Sequence, residues 1–119
     1  MPFSWNDYIL LADQLNTGSP NDAQMRTATS RAYYGAFCLC RNKKGLSADR
    51  RPNIHQVVID EFKNSDDSIE YSIGNTLDGL RGKRVDADYK ISYKPNPQTT
   101  KLDIKNAESI VSLLNQVSD

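Results

Sequence analysis

Residues 69–89 read IEYSIGNTLDGLRGKRVDADY, and the fold turns on their spacing. Ile69, Ile73, Leu77 and Leu80 recur every three or four positions, which marks one face of a helix. Four residues on, the stripe lands on Arg84 instead of another apolar side chain. A guanidinium stays charged in a protein, so an arginine on a core-facing stripe needs a partner. Three kinds remain open: a carboxylate, a second subunit or a bound anion.

The same periodicity recurs on both sides. Ser4 with Asp7 forms a capping-box-like start to a first helix, whose stripe is Trp5, Tyr8, Ile9, Ala12 and Leu15. Asn16–Pro20 stops it. Ser19 as cap, with Pro20 in the first turn, opens a long second helix that runs to about Lys44 and ends at Gly45. A third helix from about Asn53 carries His55, Val58, Ile59 and Phe62 on one side. Ser68 caps the fourth, which frays near Asp86–Tyr89. Two prolines make Tyr93–Thr100 a loop. The last helix spans about Leu102–Val117, with Ile104, Ala107, Ile110, Val111 and Leu114 as its stripe. Nothing asks for a strand. The pattern predicts one all-α domain over residues 1–119, an antiparallel up-and-down four-helix bundle with an additional short helix.

Composition narrows the function. The chain has 119 residues, 25% of them charged, with 15 basic and 15 acidic side chains in balance. No bulk field draws nucleic acid or a membrane surface, so an anion site must be local. No apolar run is long enough to span a bilayer, and the start, MPFSWNDYILL, lacks the pattern of a signal peptide. The expectation is a cytoplasmic protein without membrane contact. Cys38 and Cys40 lie two apart on a helix, so their side chains diverge and cannot bridge. With one histidine in the chain, no metal or cofactor site is expected, and the thiols read as small core residues.

Two patches remain. Arg41, Lys43 and Lys44 crowd the end of the second helix, where they offset its dipole. Its middle, SRAYYGAF over residues 30–37, combines small residues at Ala32, Gly35 and Ala36 with Tyr33, Tyr34 and Phe37. A mid-helix glycine costs about 1 kcal/mol against alanine, so another helix is expected to pack there. A buried tyrosine hydroxyl wants a partner, and an arginine on a facing helix is the expected one.

SRAYYGAF on the second helix and LRGKRVDADY at the end of the fourth, with His55 between them, together resemble the HEPN superfamily of small helical proteins. The likeness is to the branch that accompanies minimal nucleotidyltransferases in toxin–antitoxin and defence loci. The resemblance implies a homodimer and, in nuclease members, metal-free RNA cleavage by an arginine followed four to six residues later by a histidine. Arg84 matches the arginine, whereas Tyr89 stands in the histidine position. Tyrosine, with an unperturbed pKa near 10, is a poor general base at neutral pH. The resemblance therefore implies a subunit that binds a nucleotidyltransferase or antitoxin partner, a nucleotide or RNA through an arginine-rich groove. Its contacts would be Arg31, Tyr34, Arg81 and Arg84. The alternative it implies is a ribonuclease toxin in which Arg84 steadies phosphate while Tyr89 and His55 complete a composite site across the dimer. A third reading, from the residues alone, pairs Arg84 with Asp86, Asp88 or another acid and gives it a role in docking two subunits.

Overall fold

The computed structural model describes residues 2–117. Its five helices are α1 Asn6–Leu15, α2 Asp22–Lys43, α3 Ile54–Lys63, α4 Ser68–Tyr89 and α5 Pro97–Leu114, and no strand occurs among the described residues. The chain is all-helical, as the periodicity predicts. None of the described helices is long and apolar enough to cross a membrane.

Helix starts differ from expectation where a better cap was at hand. Asn21, not Ser19, caps α2, and Gln24 completes a reciprocal capping box that satisfies two backbone donors instead of one. Pro20 then precedes the cap. The cap of α4 is Asp67, whose Oδ1 accepts the Ile69 amide at 3.2 Å, so Ser68 is already helical. The α5 start is displaced furthest. Asn96 and Thr99 form a capping box and Pro97 takes the first helical position, where the missing N–H would have been unpaired anyway. Pro97–Thr100 is therefore helix, not loop, and α5 ends at Leu114, short of Val117. Ser4 makes the expected local bonds, its amide donating to Asp7 Oδ2 and its hydroxyl accepting the Asn6 amide, but the cap position of α1 is Trp5, which makes no side-chain cap bond.

Helix α2 lies at the centre and packs on α1, α4 and α5, while α3 packs chiefly on α4. The shared core includes Tyr33, Phe37, Ile59, Phe62, Ile73, Leu77, Ile104 and Ile110. Gly35 is where α1 meets α2, as its composition implies. A β-carbon there would sit 2.8 Å from Ile9 Cγ1 and 2.9 Å from the Trp5 carbonyl oxygen. Gly74 does the same for α3 and α4, since a β-carbon would lie 2.5 Å from the Lys63 backbone nitrogen. Cys38 and Cys40 are buried and free, and burial pushes the Cys40 thiol up to about 12. The basic residues ending α2 are drawn into tertiary contacts: Lys44 pairs with Glu70 at 2.5 Å, and Arg41 lies over Trp5.

Helix α4 does not fray at Asp86. Arg26, on α2, closes its end by donating from Nη1 to the Ala87 and Lys90 carbonyls and from Nη2 to those of Ile91 and Tyr93. Its Nε donates to Asp22. These bonds satisfy carbonyls that a helix end leaves open, and they hold in place the turn that carries Arg84, Asp88 and Tyr89.

Candidate functional site

Arg84 lies where the stripe puts it, on the inward face of α4 and only 8% exposed. Burial of a permanent cation demands compensation, and three aromatic rings supply part of it. Its guanidinium carbon is 5.5 Å from the Tyr33 centroid, 5.3 Å from Tyr34 and 6.0 Å from Tyr89, within cation–π range. The carboxylate is supplied by Asp88, one turn on, but at a loose 3.5 Å. Arg84 Nε is buried with no hydrogen-bond partner. The arginine is thus held in position but incompletely satisfied.

The expectation that an arginine would take the tyrosine hydroxyl needs correction. The Tyr33 hydroxyl pairs with His55 Nδ1 at 2.6 Å, and Arg84 takes the ring face instead. Placement explains the choice: Tyr33 is fully buried on α2 and points toward α3, where His55 stacks on Phe37 with centroids 4.1 Å apart. Burial, and then the nearby charges of Arg81 and Arg84, lower the His55 pKa to about 4. Burial likewise raises that of Tyr33. Whichever group donates, both are neutral at pH 7.

The remaining expected residues fall around this pair. Tyr34 meets His55 edge to face at 5.8 Å. Arg31 stacks over Tyr34 at 5.3 Å and reaches Ser30 Oγ, which itself donates to Asp88. Arg81 donates to Gln56 Oε1, the neighbour of His55 on α3. Tyr89 is 75% exposed, at the rim. The structure therefore brings Arg31, Tyr34, His55, Arg81, Arg84 and Tyr89 into one neighbourhood, built from α2, α3 and α4. Sequence reasoning singled out the buried tyrosine of SRAYYGAF but missed Ser30 and Gln56 as supports of the site. Gln56 had a signal, being adjacent to His55, while Ser30 was visible only as part of SRAYYGAF.

The arginines of this neighbourhood are sparsely paired with carboxylates, as is Arg41 at the end of α2. Elsewhere Arg26, Lys44, Arg51 and Lys63 each have a carboxylate within 2.9 Å. Here Arg31 and Arg81 make no ion pair among the described residues, and Asp88 is the one carboxylate paired with Arg84. Of these three guanidiniums only Arg84 is paired with a carboxylate, while Gln56, the partner of Arg81, itself donates to Asp60. Such an arrangement can take a phosphate by charge-assisted hydrogen bonds and a base by stacking on a tyrosine. As a proton acceptor it is weak, since an imidazole with a pKa of about 4 binds protons poorly at neutral pH. No group of three or more His, Cys, Asp or Glu among the described residues is placed to hold a metal ion.

Compared with known proteins, the chain matches no protein-family model, no curated protein and no solved structure.

Proposed function

We propose that this chain is a HEPN-type subunit of a two-gene toxin–antitoxin or defence system, and that it binds RNA or a nucleotide by its phosphates through Arg31, Arg81 and Arg84. The observation that carries the reading is Arg84 itself: buried, caged by tyrosines, loosely paired at 3.5 Å and with Nε unpartnered. A phosphate would offset the unpaired Arg31 and Arg81, and it would reach Arg84 Nε once a covering side chain moved aside. On this reading α1, α2, α4 and α5 form the antiparallel up-and-down four-helix bundle, with α3 as the additional short helix. The mutual packing of those four helices supports it. The protein works in the cytoplasm as a homodimer, and Val85 and Tyr89, exposed on α4, offer surface for a second copy or a nucleotidyltransferase partner.

The test is binding of a labelled single-stranded RNA in EDTA across a salt series, for the wild type and Arg84→Gln. The wild type should bind, with affinity falling as salt rises. The variant should lose at least about tenfold, in line with a charge-assisted contact, while its helical circular dichroism is unchanged. Equal binding by both would place the phosphate contacts elsewhere.

A second reading, metal-independent ribonuclease activity, is favoured by one observation: His55 and Arg84 contact the same Tyr33–Tyr34 pair. There Arg84 would stabilise charge on the phosphorane and His55 would assist the ribose hydroxyl. Cleavage in EDTA that disappears in both Arg84→Gln and His55→Gln would select it over binding alone.

A further inference from the structure

The arginine–aromatic contacts continue beyond Tyr34. The Arg31 guanidinium carbon lies 5.3 Å from the Tyr34 centroid and 4.9 Å from that of Tyr8, so it joins α2 to α1. Tyr8 meets Trp5 at 5.4 Å and Phe3 at 5.5 Å, both edge to face. Arg41 then lies 5.7 Å over Trp5. Along α2, Arg31, Tyr34, Cys38 and Arg41 fall at i, i+3, i+7 and i+10, one continuous face. At 1.5 Å per residue this face is about 15 Å long.

Two features mark the row as open to a ligand. Arg31 and Arg41 make no ion pair among the described residues, and their polar contacts are to the neutral side chains of Ser30 and Asn42. Phe3, at the edge of the row, is 58% exposed. Asp7 Oδ2 accepts the Ser4 amide, and Asp88 pairs with Arg84 at the other end.

Cations that track a backbone, interleaved with aromatic rings, are the combination that single-stranded nucleic acid takes. Unpaired bases stack on the rings, and stacking tolerates any sequence. A duplex hides its base faces and would gain only the charge. An acidic peptide would likewise use the arginines and leave the rings unused.

We propose that Phe3, Trp5, Tyr8, Arg31 and Arg41 extend the Arg84 site and hold the unpaired bases and phosphates of a single-stranded RNA. At 3.4 Å per stacked nucleotide the row accommodates on the order of four. The proposal rests on the phosphate-binding reading above and names the form of RNA that the site accepts.

Trp5 is the only tryptophan in the chain, so its fluorescence reports on the row directly. The full-length protein is titrated in EDTA with a single-stranded RNA octamer, a dinucleotide, a hairpin duplex and an octaglutamate peptide. The double variant Phe3→Ala/Arg41→Gln and the single variant Arg84→Gln are titrated in parallel. The octamer should quench Trp5 and bind more tightly than the hairpin. The double variant should weaken the octamer about tenfold or more, the loss of one stacked base, and leave the dinucleotide unchanged. Arg84→Gln should weaken both. An octamer that binds in an Arg84-dependent way, without quenching and equally well in the double variant, overturns the extension and leaves the Arg84 site standing. Octaglutamate binding as tightly as the octamer overturns the assignment to RNA. No binding of either RNA overturns the extension and the reading beneath it.

Discussion

Arg26 offers a direct test of how the site is positioned. Its five N–H groups reach five oxygens: Asp22 Oδ1 from Nε, the Ala87 and Lys90 carbonyls from Nη1, and the Ile91 and Tyr93 carbonyls from Nη2. Replacing it with lysine keeps the charge but removes the planar fork, so one ammonium cannot span the four carbonyls. A hydrogen bond to a charged group is worth about 1.5–3 kcal/mol, and a simple sum over the four would overstate the loss. The bonds to Lys90 and Ile91 are exposed, where water replaces them at little cost. Those to Ala87 and Tyr93 are part-buried, and the side chain as a whole is 22% exposed. Counting those two and allowing for relaxation, Arg26→Ala should cost about 2–4 kcal/mol and Arg26→Lys about 1–2 kcal/mol. Urea unfolding with an unchanged slope gives the global figure. Hydrogen exchange gives the local one, with amides from residue 86 to 93 exchanging faster than those of the α4 middle. A lysine variant within about 0.5 kcal/mol of wild type, the range of ordinary surface substitutions, with exchange over 86–93 also unchanged, would show that Arg26 does not hold the end of α4.

Other outcomes follow from the packing and the buried charges. Gly35→Ala should destabilise by about 1–3 kcal/mol, because the new carbon meets the Trp5 carbonyl oxygen at 2.9 Å and backbone cannot swing aside. Thermal or urea unfolding measures it, and a neutral result would mean that α1 and α2 are less closely apposed. Asp103, 3% exposed and hydrogen-bonded to Thr29 at 2.9 Å, has its pKa raised by burial. Its favourable contribution is complete below the unfolded carboxylate pKa and is lost as pH rises through the folded value. Asp103→Asn should therefore compare better with wild type at pH 7 than at pH 4. The reverse order in urea midpoints would contradict this.

Much of the fold was legible because it is written in local periodicity. The stripe Ile73, Leu77, Leu80, Arg84 is buried as its spacing demands, and the small residue Gly35 is indeed a contact point. Asp103 was equally legible but went unread. It lies four residues before Ala107 and seven before Ile110, on the same face. Pro97 misled because a proline in the first helical turn looks, in sequence, like a loop residue. The carbonyl bonds of Arg26 gave no local signal, since those partners lie 61 to 67 residues away. The same limit applies to the site. That Arg84 needed compensation could be read from one helix. That His55 would meet Tyr33, and that Arg31 would bridge Tyr34 to Tyr8, depends on how α1, α2 and α3 pack.

The pH titration of the one imidazole by NMR, with and without a saturating single-stranded RNA, tests the phosphate-binding site most directly. His55 is the only histidine in the chain, so its signal needs no assignment among competitors. In the free protein its pKa should be about 4, held down by burial and by Arg81 and Arg84. As pH falls from about 6.5, the unperturbed value, toward 4, the unfolded chain takes up the proton first, and stability should fall over that window. RNA phosphate at the arginines would cancel part of their field, so the pKa should rise when RNA is bound. A titration curve that RNA leaves unmoved would contradict a phosphate site at Arg84.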